Sequence, residues 1–166
     1  MSKPASAQIV NYWHRSYRTV DGLWFMKVEE LYGFDTALEI DHEVWKIMPK
    51  IQARMVKNML GVEKGIDDLF EAIKLKLELE GYKFQTERDD NNSFRIIIIA
   101  CPWHNIMLRS NREHLSGRVG TLICNEEYNV WISEFGGNMS FELEDQICEG
   151  SSSCVMKFYA NNKESN

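Results

Sequence analysis

The chain has 166 residues, 44% of them apolar and 27% charged, with a formal net charge of −6. That length suits one domain able to bury most of its apolar surface. The acidic balance, without a Lys/Arg block, argues against a nucleic-acid surface. The longest apolar run, Ile96–Trp103, falls far short of the roughly 20 residues that span a bilayer.

In chain order, residues 8–32 read as a helix. Ile9, Tyr12, Trp13, Tyr17, Val20, Leu23, Trp24, Val28 and Leu31 recur at spacings of three and four. This stripe is expected to face a core, with Asp21, Glu29 and Glu30 on the solvated side. A second helix is expected over 36–60, kinked or divided at Pro49. A third spans 63–80, stopped by Gly81. The period then changes to two. Residues 82–87 and 93–100 read as a hairpin about the turn cluster 89–92, with the four isoleucines 96–99 in a central strand. Helices follow over 102–115 and 118–135, and strands over 141–148 and 155–160. The expected fold is α+β: N-terminal helices on a small antiparallel sheet with a C-terminal β-hairpin. It is read as a single domain with a helical part (8–80), an α+β part (82–160) and flexible ends (1–7 and 161–166).

All four cysteines come after residue 100: Cys101, Cys124, Cys148 and Cys154. The opening MSKPASAQ lacks the apolar core of an export signal. A reducing cytoplasm is therefore expected, where clustered thiols serve metals or catalysis more often than disulfides. A hairpin tip facing helix 118–135 would bring Cys124, Cys148 and Cys154 together, and zinc takes four such ligands. Cys101, Asp145, Glu144 and His104 are candidates for the fourth. The five residues between Cys148 and Cys154 exceed a zinc-finger knuckle. Inert buried thiols and a Cys148–Cys154 disulfide therefore stay open as readings. Four thiols also suit an iron–sulfur cluster.

The C-terminal residues carry a resemblance. They read Leu122-Ile-Cys124-Asn-Glu-Glu-Tyr128, Phe135-Gly-Gly137 and Glu144-Asp145-Gln-Ile-Cys148-Glu-Gly150-Ser-Ser-Ser-Cys154-Val-Met-Lys-Phe158. This resembles the 4-vinyl-reductase-type small-molecule-binding domain. The resemblance implies zinc held by Cys124, Asp145, Cys148 and Cys154, although that family usually has Glu where this chain has Asp145. The whole chain, including Asp21-Gly-Leu-Trp24 and Ile40-Asp-His-Glu-Val-Trp45, is similar to the L-2-amino-thiazoline-4-carboxylic acid hydrolase family. That likeness implies opening of a thiazoline ring by water but supplies no catalytic residues. Relatives of this fold pair through their N-terminal helices, which implies a homodimer.

His104 stands three residues after Cys101 and is a ligand, an acid–base group or a core histidine. Asp41-His42-Glu43 and His114 read as surface. The five tryptophans are read as mostly core, some walling an apolar pocket. Two functional expectations follow. The first is a zinc-supported domain that binds a small molecule. The second is a metal- or cysteine-dependent hydrolase of a cyclic amidine or thiazoline.

Overall fold

The structure, a computed structural model, describes residues 3–161. Six α-helices and a four-stranded antiparallel sheet make it α+β, as the sequence periods indicate. It divides into two compact units, Met1–Glu43 and Val44–Asn166.

The first unit holds α1 (Ser6–Tyr32) and most of α2 (Phe34–Trp45). Helix α1 starts inside the span expected to be flexible. Residues 1–2 and 162–166 of the spans expected to be flexible lie outside the described residues. The apolar spacing predicts α1 correctly as a helix, but none of its residues is buried. Trp13 is 64% exposed and Trp24 70%, which corrects their assignment to a core. Periodicity records that apolar residues share a face; it does not record what covers that face.

In the second unit, α3 (Met48–Leu60) begins after a break at Lys46–Ile47, with Pro49 near its N-terminus. Proline lacks the N–H of a helix interior but suits a first turn, so it divides the expected long helix. Helix α4 (Ile66–Leu79) starts after Gly65, whose φ is 102°. The Asp68 carboxylate accepts the backbone N–H groups of Glu63 and Lys64 at 2.9 and 3.0 Å, closing the turn before it.

Strands β1 (Lys83–Asp90) and β2 (Ser93–Ala100) form the first hairpin. Strand β4 (Cys154–Ala160) then inserts between β2 and β3 (Met139–Asp145), giving the order β1-β2-β4-β3. Alternation divides the isoleucines of β2: Ile96 and Ile98 are buried, whereas Ile99 is half exposed. The buried face joins Phe94, Ile96, Ile98, Met156 and Phe158 to Leu69, Ile73 and Leu77 of α4. Helix α6 (Glu113–Glu134) adds Tyr128, Trp131 and Ile132.

Two boundaries differ from expectation. Helix α5 (Pro102–Arg109) is short, and α6 begins at Glu113, so Gly117 lies inside a helix instead of interrupting one. The chain turns at Asn111, whose φ of 53° is tolerated by asparagine better than by most residues. In the C-terminal hairpin β3 stops at Asp145. Cys148 therefore sits in a 3-10 turn, Ile147–Glu149, and not at a strand end.

Candidate functional site

The four cysteines arrive from four elements. Cys101 follows β2 and caps α5, with Pro102 opening the helix behind it. Its sulfur accepts the His104 backbone N–H at 3.5 Å. Cys124 lies on the core-facing side of α6. Cys148 is carried by the 3-10 turn and points its thiol at Gln146 Oε1, 3.5 Å away. Cys154 opens β4 opposite Ile98 and accepts the Ile147 N–H at 3.2 Å. All four are free thiols.

They are mutual electrostatic neighbours. Burial pushes the Cys124 thiol well up, and negative charge on Glu127, Cys101, Cys154 or Cys148 pushes it further. Cys148 is raised to about 11 by burial, then by Cys154, Glu149 and Cys101. Cys154 is raised by burial, with Cys101 and Asp145 adding to the rise. Cys101 is also raised by burial, but N–H groups of His104 and Trp103, a hydrogen bond from Tyr82 and the field of Lys76 oppose the rise. Burial thus disfavours the thiolate form at all four positions. Among the described residues, no three His, Cys, Asp or Glu side chains form a ready metal site. The sulfurs are neighbours that have not converged on one point.

The other candidates separate from this group. Asp145 is exposed at the end of β3 and accepts the Ser151 hydroxyl at 3.2 Å; of the four cysteines it perturbs Cys154 alone. Glu144 is exposed and faces Arg95 at 3.4 Å. His104 is half-buried, and its Nδ1 atom has no hydrogen-bond partner. In the first unit, burial raises the Asp21 carboxyl above its ordinary value. Asp41 and His42 are half-buried, whereas Glu43 and His114 are exposed as expected.

A charged cluster beside the thiols escapes sequence reasoning. Lys76, only 2% exposed, places Nζ 2.9 Å from Glu127 Oε1 and 3.2 Å from Glu80 Oε2. The rings of Tyr82 and Tyr128 flank the ammonium at 5.2 and 5.3 Å. Burial by itself lowers the Lys76 pKa, but Glu127 and Glu80 overcome it and hold the ammonium well above the ordinary lysine value. Burial raises Glu127, against the pull of Lys76. A helical signal was present: Lys76 continues the stripe of Leu69 and Ile73, where an apolar residue belongs.

Each unit carries an open groove. One lies along α1 from Gln8 to Val20; the other is lined by Tyr82, Phe84 and Ile99 with Lys74, Glu78 and Lys83 at its edges. Neither is the enclosed apolar chamber expected for a small molecule.

A model described as a family of unknown function, DUF6125, matches residues 1–128. The chain belongs to this family. No curated protein matches it. This DUF6125 member carries Cys101 and Cys124 within the matched span, while Cys148 and Cys154 follow it. No helix among the described residues is long and apolar enough to cross a membrane.

Proposed function

We propose that the second unit is a metal-clamped domain in which Cys101, Cys124, Cys148 and Cys154 hold one soft divalent ion, zinc by donor chemistry. The supporting observation is that thiols from four separate elements share one neighbourhood. The donors suit the ion: backbone N–H groups already point at Cys101 and Cys154, as they do around ligating thiolates. Cys101 is preferred to Asp145, which is exposed and engaged with Ser151. When bound, the ion supplies a cross-link between the hairpin loop, α5 and α6, and a closed four-thiolate site is structural.

Metal analysis of anaerobically purified protein, with melting before and after chelation, tests this. One zinc per chain is expected, with a lower Tm after chelation. Cys124→Ser and Cys148→Ser should reproduce the loss, and Asp145→Asn should not. Metal-free protein whose cysteine variants melt like the parent overturns the reading. Brown protein with visible absorption replaces zinc by an iron–sulfur cluster.

The hydrolase alternative has one observation in its favour. Tyr82 and Lys76 both oppose the burial-driven rise of the Cys101 thiol, so a potential nucleophile has polar neighbours. Turnover of a thiazoline, lactam or cyclic urea that disappears in Cys101→Ser supports it. Absence of turnover across such a panel counts against it.

We further propose that α1 pairs with α1 of a second copy. Ile9, Trp13, Val20, Trp24 and Leu31, spaced by four, seven, four and seven residues, share one exposed face on a helix about 40 Å long. Three basic residues (Arg15, Arg18 and Lys27) balance three acidic ones (Asp21, Glu29 and Glu30). Two copies therefore meet without net repulsion, whereas an anionic membrane or nucleic acid would favour a basic face. Light scattering should give a dimer mass that Trp13→Glu with Trp24→Glu halves. A parent that is monomeric at micromolar concentration refutes the pairing.

A further inference from the structure

The geometry points to Gly120 as the positioning residue of the thiol centre, an inference that rests on the metal reading above. Helix α6 carries glycines at 117 and 120, although glycine weakens a helix interior relative to alanine. Neither has a positive φ, so the backbone does not demand glycine at either place.

Space demands it instead. A Cβ at Gly120 would stand 2.8 Å from Cys148 Sγ and 3.5 Å from Cys148 Cβ. A Cβ at Gly117 would overlap Glu149 Oε1 and lie 3.2 Å from the Cys148 carbonyl oxygen. The two positions make a notch on α6 into which the 3-10 turn settles. The Thr121 hydroxyl stands 3.0 Å from Gln146 Oε1 and 3.3 Å from Glu149 Oε1, beside the same turn. Gly120 and Cys124 are one helical turn apart and so share a face of α6. By admitting Cys148 at Gly120, the notch seats its sulfur next to the Cys124 position.

The two glycines differ in what a methyl group would do. At Gly117 the crowding falls mainly on the end of a long, exposed Glu149 side chain, which can swing aside. At Gly120 it falls on a short thiol, which can yield only by turning off α6 or lifting the loop. Gly22 in α1 is a natural control: it is helical, and a Cβ there meets nothing within 4 Å.

Cobalt(II) titration tests the inference, because the thiolate-to-cobalt absorption reports how many sulfurs bind. Gly120→Ala should weaken cobalt binding by about tenfold or more and reduce the absorption to that of Cys148→Ala. Gly117→Ala should stay near the parent, and Gly22→Ala should match it. In metal-free melts, Gly120→Ala should lower Tm in the parent much more than in the Cys148→Ala background, where the methyl group no longer meets a sulfur. Parent-like cobalt binding by Gly120→Ala, or equal Tm losses in the two backgrounds, overturns the inference. If Gly120→Ala does not fold, recovery of folding in the double variant supports the notch, and its failure to recover refutes it. A parent that shows no thiolate–cobalt absorption refutes the metal reading itself, while the two-background melt still decides whether the notch seats the sulfur.

Discussion

Lys76 occupies a position that helical spacing assigns to a core leucine, and its surroundings explain how a charge can stay there. Two carboxylates and two tyrosine rings replace the water it loses. Removing the ammonium leaves Glu127 buried without its cation, and breaking such a pair costs about 3–5 kcal/mol. Lys76→Ala should therefore lower the urea-unfolding free energy by about that amount, while Lys76→Met with Glu127→Leu should recover most of it. The pKa shift has a pH consequence as well. The folded-state Lys76 pKa lies above the unfolded value of 10.5, so the folded protein holds this proton more tightly. The contribution is fully present below 10.5 and is lost as pH rises toward the folded value. Tyr82 and Tyr128, also raised, act in the same direction. Unfolding free energies on an alkaline pH series should fall above about 10.5, less steeply in Lys76→Met. The sequence did not show this cluster because a lone lysine in an apolar stripe also fits a side chain that snorkels to water.

The strands and helices differ in how much of their role can be read locally. The isoleucine run of β2 is legible as a central strand, and pairing with both β1 and β4 makes it one. Which isoleucines face the core depends on register, since a shift of one residue exchanges the faces. Ile96→Ala, at a fully buried position, should cost about 2–5 kcal/mol. Ile99→Ala, at a half-exposed one, should cost no more than about 1 kcal/mol; denaturant midpoints of the two variants test the assignment. Glycine misled at Gly117. As a local signal it ends helices, but here it makes room for a neighbouring chain segment, and Asn111 makes the break. Pro49, by contrast, acts through its own missing N–H, so the division between α2 and α3 could be anticipated.

At the scale of the molecule, topology assembles the candidate centre. Insertion of β4 beside β2 puts Cys154 opposite Ile98, three residues before Cys101, and the β3–β4 connection lays Cys148 on α6. The proposed pairing of α1 adds an expectation for the whole protein: with dimerisation coupled to folding, Tm should rise with protein concentration. A Tm constant over a hundredfold dilution from a dimeric sample would show that pairing does not contribute to stability.

The sequence by itself determined the α+β class, nearly all the elements and the concentration of thiols in the second half, because helix and strand periods and chain breakers act over a few residues. It grouped Cys124, Cys148 and Cys154, and left Cys101 and Asp145 among the candidates for the fourth position. Only the tertiary structure decided that the four sulfurs are neighbours, that Asp145 stays at the rim, that Lys76 is buried and that Trp13 and Trp24 are exposed. Burial and convergence depend on which distant segments meet, and strand order and close packing across segments settle that.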